Sequence, residues 1–186
     1  AMGFLNMDPN RKYVRHDPDD WSTRRAFPKA GEMPRALANA AVALTMLRHA
    51  DRIKIGCATS GLAMLCATDR EHVWKSAAYY PFTQLIRYAR GVSLQPVVEC
   101  KTFNVPGYAI DDMNQYNGFE NVPCIQAAVA LNEEAGELTV FVANVDATEA
   151  HALTLDATAF PGWEFKEHAA LYTEDQEAYN DFDHPE

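Results

Sequence analysis

The sequence predicts an α+β chain in which a helix–strand–helix unit is followed by a run of antiparallel strands. Three observations support this fold class. Apolar residues recur at steps of three and four after Met33, a second helical pattern follows Pro81, and the apolar period falls to two after Gly91. Strands that alternate in this way are the elements of a β-sandwich. We therefore expect the chain to divide near Gly91 into an α/β part and an all-β part.

The first helix is expected to begin at Pro34, because a proline in the first turn lacks only an N–H that has no helical partner. Its apolar stripe is formed by Leu37, Ala40, Ala41, Leu44 and Leu47. We expect part of this stripe to stay exposed in the isolated chain. Residues 8–31 are polar and rich in Pro and Asp, and residues 1–31 are expected to form a connecting segment.

A short strand is expected at residues 52–58, RIKIGCA, and a second helix over residues 81–90. This helix starts with a proline and is followed by Gly91, which is the usual asymmetry of helix ends. A single strand between two helices cannot enclose a core, since parallel strands need neighbours on both sides. Either this strand joins the following sheet, or the chain was cut from a longer one.

Beyond Gly91 the pattern is that of strands separated by polar turns. Strands are expected at residues 92–100, 124–131, 138–145, 151–158 and 163–172. The second and third should form a hairpin closed by a Gly-containing turn. Residues 101–123 are dense in Asn, Asp, Gly and Tyr and should form a long connection.

The composition argues against several classes of partner and site. The net charge of −10 opposes nucleic-acid binding, which needs a basic face. No apolar run reaches the roughly 18 residues of a membrane span, and no signal peptide is recognisable. The four cysteines lack C-x₂-C spacing, and His151, His168 and His184 are scattered, so no metal site is expected. Free thiols in a reducing cytoplasm are favoured over disulfides.

Three segments carry a resemblance to a known family: LRHADRIKIGC (47–57), YYPFTQLIRYARGVSLQPVV (79–98) and NEEAGELTVFVANVD (132–146). In this order and spacing they resemble the C-terminal part of the family 51 glycoside hydrolases, the α-L-arabinofuranosidases. The likeness covers about residues 32–186. It implies that residues 32–91 are the terminal part of a (β/α)₈ catalytic barrel, and that residues 92–186 are a C-terminal β-sandwich domain.

The resemblance also implies an activity. Such enzymes are retaining exo-acting hydrolases that release terminal arabinofuranosyl groups from arabinose-containing oligo- or polysaccharides, with two carboxylates about 5–5.5 Å apart. In the family both carboxylates are Glu from barrel strands earlier than the eighth. No catalytic residue is therefore assigned in this chain, which should be inactive alone. A soluble homo-oligomer, and hydrolysis without cofactor or metal, are implied as well.

Two residues are candidates for substrate binding, Ser60 and Trp74. In the family the loop after the eighth strand reads Cys-x-Ala-Gln-x-x-Asn, and its Gln reaches the sugar; the matching CATSGLA has Ser60 at that position. The shorter serine would need a bridging water, or else it only caps the loop. Trp74 would stack on an apolar sugar face, or else it packs in the core. The family's Gln-Thr pair is here Ser76 and Ala77, and these departures leave the sugar preference open.

A function of another class stays open. The chain could be a stand-alone β-sandwich module that binds carbohydrate or protein without chemistry. Such a module would present exposed aromatic side chains along one face of a sheet. The strands offer Phe141, Trp163 and Phe165, of which the last two lie on the same face of their strand.

Overall fold

The structure is a computed structural model that describes residues 32–57, 65–67, 73–109, 115–175, 178–180 and 184. Their elements are, in chain order, α1 (Glu32–Arg48), β1 (Leu65–Ala67), β2 (Val73–Lys75), α2 (Tyr79–Tyr88), β3 (Val92–Leu94), β4 (Thr102–Val105), β5 (Tyr108–Ala109), β6 (Gln115–Tyr116), β7 (Phe119–Pro123), β8 (Ile125–Asn132) and β9 (Glu137–Asn144). Every strand pair among them is antiparallel. Neither helix is long and apolar enough to cross a membrane.

The expected hairpin is confirmed and forms the centre of a three-stranded sheet, in the order β3-β8-β9. Strands β8 and β9 pair without a break from Ile125 opposite Asn144 to Asn132 opposite Glu137. The turn between them contains Gly136, whose φ of +63° suits a residue without a Cβ. Strand β3 is shorter than expected and ends at Leu94, before the proline at position 96.

Helix α1 packs across this sheet. Leu44 is only 3% exposed and forms a core cluster with Ala128 of β8 and Ala143 of β9. Partly buried apolar side chains surround the cluster: Leu37, Ala40, Leu47, Leu85 and Phe141. The small alanines on the strands let the helix approach closely. The sheet buries Leu44, whereas Leu37, Ala40, Ala41 and Leu47 stay partly exposed, so the expectation of exposed apolar surface on this helix stays a prediction.

Polar contacts fix how the helix lies on the sheet. The Ser93 hydroxyl donates to the Leu47 carbonyl oxygen over 2.7 Å. Arg48 donates to Gln126 Oε1 over 3.2 Å. Close packing also occurs where α2 passes into β3, at Gly91. Its φ is +83°, and a Cβ there would lie 2.1 Å from the Leu131 carbonyl oxygen.

The strand expected at residues 52–58 is not formed by the described part of that segment. Residues 53–57 belong to no strand. Ile53 and Ile55 have the two-residue spacing of a strand's apolar face, yet Ile55 is 81% exposed. A strand exists only when a neighbouring backbone accepts and donates its hydrogen bonds. No other described segment lies beside this one as a partner.

The described strands agree with the expected antiparallel α+β class, whereas the β-sandwich itself stays a prediction. The described residues form the three-stranded sheet and the two-stranded pairs β1-β2, β4-β7 and β5-β6. Residues 101–123 were expected to be a connection, but they contain β4 to β7. Residues 151–158 and 163–172 were expected to be strands, but they contain none. Apolar and polar residues alternate along these segments, but without paired strands the apolar side chains are exposed to solvent: Leu153, Leu155, Trp163 and Phe165.

Candidate functional site

The structure describes one of the two sequence candidates, Trp74. Ser60 lies outside the described residues, so its surroundings stay a prediction. Trp74 lies in β2, opposite Cys66 of β1. The hairpin of β1 and β2 leads into Ser76, Ala77 and the start of α2, and thereby places Trp74 just before that helix.

Trp74 is half-buried and makes a long-range contact through its indole N–H. Nε1 donates a hydrogen bond to the backbone oxygen of Asn180 over 2.9 Å. The Asn180 side chain returns a hydrogen bond through Nδ2 to the Lys75 carbonyl oxygen over 3.0 Å. These two bonds fasten the segment 178–180 to β2. These contacts give Trp74 a structural role, and its stacking on a sugar face stays a prediction.

A cleft of about 330 Å³ lies beside this contact and is called the Trp74 cleft below. Its walls include Met33, Tyr80, Tyr172, Tyr179 and Asn180. Pockets that take small molecules are commonly apolar and aromatic with a few polar groups, and sugars in particular use ring faces and phenolic hydroxyls. The cleft has this composition.

Ser76 is buried at the entry to α2, and among the residues that the structure describes it is the buried polar side chain without a hydrogen-bond partner. The residue is 1% exposed, and its Oγ has no hydrogen-bond partner. Its backbone oxygen accepts from the Tyr79 N–H over 3.0 Å, which starts the helix. A buried hydroxyl without a partner costs free energy, so this position is one where a smaller apolar residue would fit better.

A second cluster was missed by the sequence analysis. Cys124, Asp146 and His151 bring a sulfur, a carboxylate oxygen and a ring nitrogen within 4.8 Å of one another. His151 Nε2 and Asp146 Oδ2 are 2.8 Å apart. Cys124 precedes β8, and Asp146 follows β9 by two residues. Because these strands are antiparallel, the two residues meet at one end of the hairpin, a signal available from the predicted hairpin alone.

Hydrogen bonds hold the Asp146 carboxylate as an anion. Its Oδ1 accepts from the Thr148 hydroxyl over 2.7 Å, from the Thr148 N–H over 2.9 Å and from the Glu149 N–H over 3.2 Å. The Thr148 hydroxyl and N–H, followed by His151, lower the pKa of Asp146 well below its ordinary range. Burial raises the pKa of the Cys124 thiol, and the negative charge of Asp146 adds to that shift.

Comparison with known proteins locates the chain within a family. The family model described as "Alpha-L-arabinofuranosidase C-terminal domain" matches residues 17–186. An intracellular exo-α-(1→5)-L-arabinofuranosidase of Halalkalibacterium halodurans is 34% identical over 148 residues, which cover 78% of this chain and 27% of that protein. An intracellular exo-α-(1→5)-L-arabinofuranosidase of Bacillus subtilis is 30% identical over 148 residues, with the same two coverages.

The fold is shared with a solved structure. AbfB, a family 51 α-L-arabinofuranosidase from Bifidobacterium longum, superposes with a TM-score of 0.67 at 24% identity, over 81% of this chain and 28% of that one. The chain thus spans little more than a quarter of the length of the relatives that it matches. The match over most of this sequence confirms the resemblance, and the chain belongs to the family of α-L-arabinofuranosidase C-terminal domains.

Proposed function

We propose that this chain is the C-terminal part of a retaining, exo-acting α-L-arabinofuranosidase of the cytoplasm. The whole enzyme would be a homo-oligomer that removes terminal arabinofuranosyl groups from arabinose-containing oligo- or polysaccharides without a cofactor. The family match and the names of the relatives support this activity. In this proposal residues 32–91 complete a (β/α)₈ barrel, and residues 92–186 belong to a β-sandwich that braces it.

The proposal that residues 32–91 complete a barrel rests on the unpaired segment 53–57. It lies between two helices in the chain, as a barrel strand does, and it exposes Ile55. Barrel strands are covered on both faces and hydrogen-bonded on both edges. We infer that the remainder of the enzyme supplies these neighbours, so that the segment becomes the eighth strand only in the longer protein.

The proposal that residues 92–186 belong to a β-sandwich rests on the alternation of apolar and polar residues after His151. Leu153 and Leu155, and likewise Trp163 and Phe165, lie two positions apart, and their exposed fractions range from 45% to 83%. Contiguous exposed apolar surface on a protein marks a contact with another element. We infer that strands from the remainder of the enzyme cover these side chains.

Substrate binding by this chain would be auxiliary. Ser60 follows segment 53–57, and the loop after the carboxyl end of a barrel strand faces the active site. There its hydroxyl would contact the sugar through a bridging water. The Trp74 cleft offers three tyrosines for a neighbouring part of a glycan. Both catalytic Glu residues would come from the rest of the enzyme, so the 186-residue chain should hydrolyse nothing.

The first experiment measures hydrolysis of an aryl α-L-arabinofuranoside by two proteins. One is the 186-residue chain, and the other is the same chain extended by the coding sequence upstream of its gene segment. We expect turnover from the extended protein and none from the short chain. Turnover by the short chain would overturn the assignment, and so would an extended protein that is folded but inactive.

A second experiment tests the barrel strand directly. Ile55→Asp in the short chain should change the free energy of unfolding by less than about 0.5 kcal/mol, because the side chain is already exposed. In the extended protein the same change would bury a carboxylate and should cost about 3 kcal/mol or more. Equal effects in the two proteins would contradict the pairing of this segment.

The exposed aromatics give one observation in favour of the rival function, a non-catalytic binding module. Trp163 is 45% exposed and Phe165 83% exposed, and they lie two positions apart. Titration of the short chain with arabinan, followed by tryptophan fluorescence, separates the two proposals. Saturable quenching that Trp163→Ala removes would favour the module. No quenching is expected if this surface serves to contact strands of the longer enzyme and not to bind a glycan.

A further inference from the structure

We propose that Cys124, Asp146 and His151 form a binding site for a divalent transition-metal ion, with Zn²⁺ as the ion that fits their chemistry. The three ligand atoms are a sulfur, an oxygen and a ring nitrogen, all within 4.8 Å of one another. Thiolate, imidazole and carboxylate together are a ligand set of Zn²⁺, whereas Ca²⁺ and Mg²⁺ prefer oxygen alone. This site is separate from the proposed hydrolysis and concerns how the C-terminal part is held together.

The backbone brings the three residues together before any ion binds. Cys124 sits between β7 and β8, Asp146 follows β9, and His151 begins the long final segment. The Val145 N–H donates to the Cys124 carbonyl oxygen over 2.8 Å, and the Cys124 N–H donates to the Lys101 carbonyl oxygen over 2.9 Å. The cluster is thus fixed at the end of the hairpin, and an ion there would tie the final segment to the sheet.

The Asp146 carboxylate is already oriented as a metal ligand. Its Oδ1 accepts three hydrogen bonds from Thr148 and Glu149, so this oxygen is held by a supporting shell. Oδ2 lies 2.8 Å from the ring nitrogen of His151. Such support for a ligand typically strengthens metal affinity. An ion that replaces the hydrogen between Oδ2 and Nε2 leaves the other three bonds intact.

The distances require only small side-chain movements. Zinc binds sulfur at about 2.3 Å and nitrogen or oxygen at about 2.0–2.2 Å, which puts neighbouring ligand atoms of a tetrahedron about 3.3–3.6 Å apart. Nε2 and Oδ2, now 2.8 Å apart, must therefore separate slightly, and the sulfur already lies within 4.8 Å of both. A water molecule would complete the four-coordinate shell.

Proton balance follows from the ligands. Formation of the Zn–S bond breaks the Cys124 S–H bond, and that proton leaves to solvent. Coordination by Nε2 of His151 requires its lone pair, so the ring carries its remaining hydrogen on Nδ1. A neutral histidine that held the hydrogen on Nε2 changes tautomer without net release. Binding should therefore release one proton for a neutral His151 and two for a protonated one.

The three ligand side chains are mostly buried, but two of them are exposed enough for an ion to enter from solvent. Cys124 is 2% exposed, whereas the side chains of Asp146 and His151 are 15% and 14% exposed. A thiolate and a carboxylate this close repel each other in a desolvated position. A dication between them removes that repulsion and provides a reason for a cysteine at this place.

The test is a titration of the full chain with Co²⁺, followed by displacement with Zn²⁺. Cobalt bound by a thiolate in a tetrahedral site gives a near-ultraviolet charge-transfer band and strong visible bands. We expect one equivalent to produce both bands, Zn²⁺ to remove them, and Zn²⁺ to raise the Tm of the protein. The absence of these bands at one equivalent, or bands without a rise in Tm, would overturn the proposal.

Variants assign the ligands. Cys124→Ala should abolish the charge-transfer band, and His151→Gln and Asp146→Asn should each weaken binding at least about tenfold. The matched control is Cys57→Ser, which removes an exposed thiol of the segment 53–57 and should leave the titration unchanged. If Cys124→Ala does not fold, the two partly exposed positions decide the matter. Unchanged affinity in both of them, or loss of the band in Cys57→Ser, would overturn the site.

Discussion

The indole N–H of Trp74 and the backbone oxygen of Asn180 form a 2.9 Å hydrogen bond between residues 106 positions apart. The Asn180 side chain donates a second hydrogen bond, through Nδ2, to the Lys75 carbonyl oxygen. This reciprocal pair ties the segment 178–180 to β2.

Replacement of Trp74 by phenylalanine isolates that bond. Trp74→Phe keeps an aromatic ring but removes the N–H, and it should lower the free energy of unfolding by about 1 kcal/mol. Hydrogen exchange at residues 178–180 should accelerate as well. The control is Trp163→Phe at an exposed ring, which should change stability by less than about 0.5 kcal/mol. Equal effects of the two substitutions would refute the role of the Trp74 bond.

The unsatisfied hydroxyl of Ser76 gives a prediction of opposite sign. Ser76→Ala removes a buried group that has no hydrogen-bond partner, so the free energy of unfolding should stay the same or rise by up to about 1 kcal/mol. Ser93→Ala is the matched change at a serine whose hydroxyl donates to Leu47 over 2.7 Å, and it should cost about 1 kcal/mol. Urea denaturation measures both. A loss at Ser76 as large as at Ser93 would show that the Ser76 hydroxyl is in fact bonded.

The junction of α2 and β3 depends on the missing side chain of Gly91. Gly91→Ala combines a positive φ with a Cβ placed 2.1 Å from the Leu131 oxygen, so it should cost about 3 kcal/mol or more. Gly136→Ala has a positive φ too, but no atom lies within 4 Å of its Cβ, and about 1 kcal/mol is expected. Thermal unfolding of the two variants compares them. Similar losses would mean that the backbone conformation alone, without the clash, limits position 91.

How far the sequence could predict this fold depends on whether an element is stabilised locally. The helices and the β8–β9 hairpin were predictable, because periodicity and turn residues within one stretch specify them. Even so, α2 begins at Tyr79 and not at Pro81, which still lies in the first turn where a proline is tolerated. Strands β4 to β7 were missed since they are short and rich in turn-forming residues, and β4, β5 and β7 are largely exposed.

The strands expected after His151 show the opposite error. An alternating pattern indicates which side chains would lie on an apolar face, but it does not identify the neighbouring strand that pairs with the segment. Leu155 and Phe165 have the right spacing and no neighbouring strand among the described residues. The cluster of Cys124, Asp146 and His151 escaped notice for a related reason. Its members come from three segments: the predicted hairpin could have placed Cys124 beside Asp146, but the position of His151 depends on the irregular chain after β9.

A contact between α2 and the final segment gives a prediction about pH. The hydrogen bond to the Glu167 carboxylate raises the pKa of Tyr88 above its ordinary value, burial adds to the shift, and the Arg87 charge opposes it. The folded state thus favours the neutral phenol. The resulting stabilisation is complete below the unfolded pKa of about 10 and is lost as the pH rises through the folded pKa.

Phenolate absorbance, taken as the difference between the wild type and Tyr88→Phe, measures this titration. Tyr88 should ionise at a higher pH than a free tyrosine, and Glu167→Gln should bring its pKa back towards the ordinary value, because the anionic acceptor is gone. Glu164→Gln is the control: it removes a carboxylate from the same segment that is not among the causes of the Tyr88 shift. Stability should differ between the wild type and Tyr88→Phe at neutral pH, and the difference should shrink in alkali. A Tyr88 pKa that is the same in the Glu167 and Glu164 variants would show that this contact does not hold the final segment against α2.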